Sequence, residues 1–249
     1  MRAAPLAAVL IGTVLVASGC GSGIPDGTNP SPATSVSDAG TLSAESLPTR
    51  DVSTKEAEEA LFEAAAANDA DGVREALAQG ASSEARGGGG RTPLVTATKA
   101  NAVAAASALI EAGADVNAKD DMQDSAFLYA GAEGLDEILA LTLAHGADVR
   151  SLNRFGGTAL IPASEHGYGE TVRTLIRAGV PVNHVNDPGW TALQEAVVYG
   201  DGSSRYVDVV GQLLDAGADP SIRDDRGRTA LQNAQQRGQR EVAALLAAL

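Results

Sequence analysis

A single cysteine, Cys20, stands in this chain of 249 residues, so no disulfide can form within it and stability must come from packing. Aromatic residues are scarce at 3%: three phenylalanines, four tyrosines and one tryptophan, too few for a core built on rings. Lysine occurs only as Lys55, Lys99 and Lys119, and 18 basic residues face 32 acidic ones. The net charge of −14 excludes the broad basic footprint that nucleic acid requires and disfavours electrostatic attachment to anionic membranes. Beyond the first 20 residues, no apolar run is long enough to cross a bilayer.

Signs of catalysis are equally thin. There is no G-x-S-x-G, H-E-x-x-H, P-loop or dinucleotide fingerprint. His145, His166 and His184 lack metal-ligand spacing. Gly87 to Gly90 are not followed by lysine or serine in phosphate-cradling register. Asp201, Ser203 and Asp208 lack the glycine and glutamate of a calcium loop. Acidic pairs such as Asp120-Asp121 and Asp224-Asp225 recur at matching positions, which makes them turn residues before catalytic carboxylates. Neither an enzyme nor a bound cofactor or metal is expected.

What the chain does have is periodicity. Thr92-Pro93-Leu94, Ser125-Ala126-Phe127, Thr158-Ala159-Leu160, Thr191-Ala192-Leu193 and Thr229-Ala230-Leu231 stand 33, 33, 33 and 38 residues apart. Gly80, Gly113, Gly146, Gly179 and Gly217 repeat the same series, including the five-residue insertion. Two markers in step predict a stacked array whose units bury their apolar faces against neighbours. The threonines can cap the first helix of each unit, and the glycines can supply the left-handed turn after the second. Ala97, Ala130, Ala163, Ala196 and Ala234 allow close helix approach, while pairs such as Leu109-Ile110 and Leu213-Leu214 fill the space between units.

The strings N-D-P-G-W-T-A-L-Q-E-A from Asn186 and D-D-R-G-R-T-A-L-Q-N-A from Asp224 resemble the ankyrin repeat, as does Gly113-Ala114-Asp115-Val116-Asn117 at a repeat end. The resemblance covers about residues 56 to 249. It implies an α-rich solenoid of about six stacked helix-turn-helix units with β-hairpin fingers, at about 56–86, 87–119, 120–152, 153–185, 186–223 and 224–249. Four consecutive glycines in the second unit predict a loose first finger. Asp201 to Arg205 predict a longer loop between the helices of the fifth. The apolar end Leu245 to Leu249 implies that the last helix packs inward or meets something.

The N-terminus reads differently. Arg2, the apolar stretch Leu6 to Val16, and Val16-Ala17-Ser18-Gly19-Cys20 resemble a bacterial lipoprotein signal, with residues 1–19 removed and Cys20 lipidated. Ala17 stands where leucine is usual; the alternative is secretion with a free cysteine, or an uncleaved anchor. Residues 20–52, rich in Gly, Ser, Pro and Thr, read as a flexible tether with a span of about 30 Å, leading into a repeat domain over 53–249. The expected location is the extracytoplasmic face of a cell membrane, or the periplasm or exterior without the lipid.

The family resemblance implies that hairpin tips and first helices form a concave interaction surface. Its variable slots fall here on Asp121, Met122, Asp124, Arg154, Phe155, Trp190, Arg226 and Arg228 at the tips, and on Glu133, His166 and Tyr199 among the helix positions. Phe155, Trp190 and Tyr199 are the expected hot spot for an envelope or secreted protein partner. Alternatively, Phe155 and Trp190 stiffen the finger row. The expected function is a non-enzymatic protein-interaction scaffold. An accessory or inhibitor of an envelope enzyme or toxin, and a carbohydrate- or small-ligand-binding module, are the alternatives.

Overall fold

A computed structural model of the chain describes residues 50–248. Cys20 and the expected signal and tether lie outside the described residues, apart from the tether's last three positions. Within them run twelve α-helices, two to a unit, and no strand. The first unit holds α1 (Arg50–Ala66) and α2 (Ala70–Ala78), and the second α3 (Pro93–Lys99) and α4 (Val103–Glu111). The third holds α5 (Ala126–Glu133) and α6 (Asp136–Ala144), the fourth α7 (Leu160–Glu165) and α8 (Gly169–Arg177). The fifth has α9 (Ala192–Val198) and α10 (Ser204–Asp215), the sixth α11 (Ala230–Gln236) and α12 (Arg240–Ala247). First helices pack on first helices and second on second, each against the next unit.

The recurring residues do what their chemistry suggests. The five alanines at the 33-residue spacing are buried where first helices meet. Leu61, Leu109, Leu139, Leu175 and Leu213 fill the layer between units. After α2, α4, α6, α8 and α10, the five periodic glycines adopt φ between 84° and 98°, the left-handed region that closes a helix C-terminus. Leu246 and Val242 of α12 turn inward, leaving Leu245 exposed. In the fifth unit, the inserted loop is tied down by the Gln239 side-chain amide, which donates to the carbonyls of Val197 and Gly200.

Stitches at the repeat ends join successive units. Asn117 accepts from the Asp148 N–H and donates to the Gly146 carbonyl; Asn183 does the same with Asp219 and Gly217. Between the third and fourth units this stitch is missing. Arg150 occupies the asparagine's place and offers no acceptor, and Pro181 occupies the aspartate's place and offers no N–H.

Capping holds in four of five units. Thr92, Ser125, Thr191 and Thr229 each accept an N–H from three residues on. Thr158 does not, and its buried hydroxyl oxygen has no partner. Proline is the cause. In the other units the residue four after the cap donates to the cap carbonyl, but here that residue is Pro162. Ile161 donates to the Thr158 carbonyl instead, and α7 starts one residue late. Replacing Pro162 with alanine is expected to restore both bonds and raise stability by about 1 kcal/mol, measured as a shift in the denaturant midpoint.

Candidate functional site

The fingers are tight turns rather than two-stranded hairpins. Two backbone bonds close each: the first residue's N–H donates to the carbonyl four residues on (Asp120 to Asp124, Asn153 to Gly157, Asn186 to Trp190, Asp224 to Arg228), and its carbonyl accepts from the N–H three residues on. The first residue of each also accepts N–H bonds with its side-chain oxygen, as Asn153 does from Phe155 and Gly157. Pro188 has no N–H, so the Asn186 side chain is left with the Trp190 N–H as its only turn donor. The four-glycine finger is not loose: Gly87 donates to the Arg91 carbonyl at 2.9 Å, closing it like the others. The Arg86 guanidinium holds it from outside, on the carbonyls of Gly90 and Lys119.

Between fingers and first helices of the third to fifth units lies an open cleft of about 390 Å³. Ala132, Gly157 and Pro162 make room for it, since small or ring-closed residues occupy positions that longer side chains fill elsewhere. Phe155 and Tyr199 line it, 51% and 57% exposed. The Arg154 guanidinium sits 4.6 Å from the Phe155 ring centre. Trp190 is not a wall of the cleft. It lies half-buried with its ring centre 5.6 Å from that of Tyr199, while Phe155 and Tyr199 are directly exposed.

The remaining expected contact residues divide. Glu133 and His166 line the cleft and are exposed, His166 leaning on Tyr168 at 5.4 Å. Asp121, Met122 and Arg226 are exposed at finger tips. Asp124 and Arg228 are already engaged within the chain. Asp124 pairs with Lys99 at 2.8 Å and Arg154 at 3.9 Å, and Arg228 pairs with Asp224 and Gln236.

Lys99 organises the third unit's finger. Its ammonium, 16% exposed, contacts Asp120 and Asp124 at 2.8 Å each and stands 4.9 Å from the Tyr129 ring centre. Burial works against its charge, but both carboxylates hold its pKa above the usual lysine value. Burial likewise opposes the Asp120 charge, yet the Lys99 bond and the N–H bonds of Asp124 and Met122 keep it below the usual carboxylate range.

Glu195 was not singled out by sequence reasoning. It is 8% exposed, lines the cleft, accepts from the Asn186 amide at 2.9 Å, and lies within hydrogen-bond reach of the Glu165 carboxyl. Burial first, then the Glu165 charge, push its pKa up to about 7 despite the Asn186 bond. The partial burial of its hydroxyl end, then the two glutamates, push the Tyr199 phenol upward. The signal in the string was an acid directly before Ala196, in the slot that holds Thr96, Tyr129, Pro162 and Asn233 in the other units.

The raised value has a sign. Between the ordinary 4.5 and about 7, folded Glu195 binds more protons than unfolded, so its contribution to stability falls as pH rises through that window. Glu195→Gln keeps the Asn186 bond and removes the charge. Its stability is expected to match the wild type below the window and exceed it by at most about 3 kcal/mol above it. Chemical denaturation at acid and alkaline ends checks this; a gain independent of pH would contradict it.

A family model described as ankyrin repeats (3 copies) matches residues 40–120 and 127–224. A crystal structure of an ankyrin repeat domain from Acinetobacter baumannii AYE is similar at 56% identity and a TM-score of 0.73, over 76% of this chain and 96% of that one. The crystal structure of EF0377, an ankyrin repeat protein, is similar at 42% identity and a TM-score of 0.73, over 76% and 97%. No curated protein matches the sequence significantly. With the stacked helix pairs, left-handed glycines and Asx-closed fingers in place, the chain belongs to the ankyrin-repeat family.

Proposed function

We propose that this protein is a non-enzymatic scaffold, lipid-anchored through Cys20 at an extracytoplasmic membrane face, that holds a protein partner in the groove between its fingers and first helices. Ankyrin repeats are interaction modules, which supports the broad class. The observation that carries the site is the open cleft with Phe155 and Tyr199 exposed on its walls. Large exposed rings beside a concavity are the usual anchors of a protein interface. The lipid anchor rests on the sequence from Val16 to Cys20 alone. The tether would let the array stand clear of the bilayer.

Crosslinking and affinity capture from native envelopes tests this reading. The wild type is compared with a Phe155→Ala, Trp190→Ala, Tyr199→Ala triple variant. A specific protein captured by the wild type and lost in the variant is the expected result. Equal capture by both would move the interface elsewhere on the array. Trp190→Ala alone is expected to weaken the captured complex by more than about 1 kcal/mol, because it releases the Tyr199 ring rather than removing a contact. Separately, metabolic labelling with a fatty acid is expected to mark the wild type and not Cys20→Ser.

A further inference from the structure

The cleft differs from the other junctions in charge, and the repeat itself provides the comparison. Positions 33 residues apart occupy the same place in successive units. Where the second unit meets the third, Lys99 reaches from one first helix to Asp120 and Asp124 of the next finger, beside the Tyr129 ring. Where the third meets the fourth, the corresponding residues are Ala132, Asn153, Gly157 and Pro162, all uncharged. Where the fifth meets the sixth, Asp224 is satisfied by Arg228 and by the Asn233 amide.

The fourth-to-fifth junction is the exception. Glu165 stands in the lysine's place and Glu195 in the tyrosine's. Neither carboxylate has an ion pair among the described residues, although Glu195 is nine-tenths buried. A buried acid facing a second acid, where an equivalent junction holds acids around a cation, is a site lacking its positive charge. The space is available, because the cleft opens directly onto both carboxyls. Its one guanidinium, on Arg154, already covers Phe155 and faces Asp124. Tyr199 completes the wall, and two ring–cation pairs elsewhere in the chain, Lys99 with Tyr129 and Arg205 with Tyr206, show the same chemistry.

We propose that this cleft receives one arginine or lysine side chain from an extended basic segment of the partner protein, with Glu165 and Glu195 as its counter-ions and Tyr199 and Phe155 as flanking rings. The inference rests on the scaffold reading and specifies the partner's chemistry. Seating the cation requires both glutamates ionised, so binding releases a proton and strengthens with pH. The groups acting on Glu195 are Glu165 at the end of α7 and Asn186 from the finger; Tyr199, just after α9, and His166, just after α7, share the cleft, and Arg226 and Asp225 act on Tyr199 from the next finger.

Blocked pentapeptides Gly-Gly-X-Gly-Gly, with X as Arg, Lys, Gln or Glu, test this on the full chain. Trp190, the single tryptophan, reports from behind Tyr199. The Arg and Lys peptides are expected to bind, the Gln and Glu peptides not. Affinity for the Arg peptide should fall about tenfold between pH 8 and pH 6, as Glu195 takes up its proton. Glu195→Gln and Glu165→Gln should each weaken binding by about tenfold. Glu165→Lys reproduces the Lys99 arrangement from within, so it should raise the melting temperature and abolish Arg-peptide binding. Equal binding of Arg and Gln peptides would overturn the proposal, as would Arg binding that survives Glu165→Lys. Absence of binding by every peptide would overturn it too. Each of these outcomes leaves the scaffold reading to the capture experiment, which does not depend on the partner's charge.

Discussion

A unit of about 33 residues has two short helices and cannot bury its own apolar face, so everything in this chain depends on how each unit closes against the next. The dominant constraint is the approach of first helices, and the periodic alanines meet it. A larger side chain at Ala130 or Ala163 would hold neighbouring units apart and unseat the leucine layer behind. Once the helices are that close, the fingers are brought side by side and bond across the gap. Asp121 donates to the Gly89 carbonyl, and Asp187 to that of Phe155. The functional face is therefore a by-product of core closure.

The same proximity creates an electrostatic problem at every junction, since Asx residues that close the fingers sit next to the following first helix. The chain solves it differently each time: a lysine for two aspartates, neutral side chains, or an arginine and an asparagine around Asp224. An acid–amide pair nine residues apart recurs in exchanged order, Asn186 with Glu195 and Asp224 with Asn233. The exchange moves the acid from the finger, where backbone N–H groups stabilise its charge, to the helix, where only one amide does. That displacement, added to a burial that Asp224 shares, and the neighbouring Glu165 set Glu195 apart.

Much of this was legible in the sequence. The period, the left-handed glycines and the small alanines followed from spacing, because these features depend on backbone geometry that any residue swap would violate, and the family from the resemblance of the repeated strings. The groove residues were legible as slots but not as states. Trp190 occupies an outward slot and yet leans on Tyr199, and Asp124 occupies one and yet is claimed by Lys99, 25 residues earlier. The first pairing is set by side-chain reach within the fifth unit and the second by reach between units, and the string displays neither. The missing Thr158 cap and the closed glycine finger departed from expectation for a related reason: backbone bonding decides both, through the proline four residues after Thr158 and the Gly87–Arg91 bond. Among the described residues the fingers are turns, which the family's hairpin description does not distinguish.

The missing asparagine stitch between the third and fourth units has a further meaning. In a linear array the total stability is a sum over units and their junctions, and cooperativity extends only as far as each junction transmits it. Arg150 and Pro181 remove one transmitting contact, leaving side-chain contacts such as the Thr171 hydroxyl to Asp136 and the Arg154–Asp124 ion pair to carry the connection. The cleft lies over this seam, with Glu133 on one side and Glu165 on the other. An occupant spanning it touches both blocks of the array, so seating a partner and joining the two halves into one cooperative body become the same event.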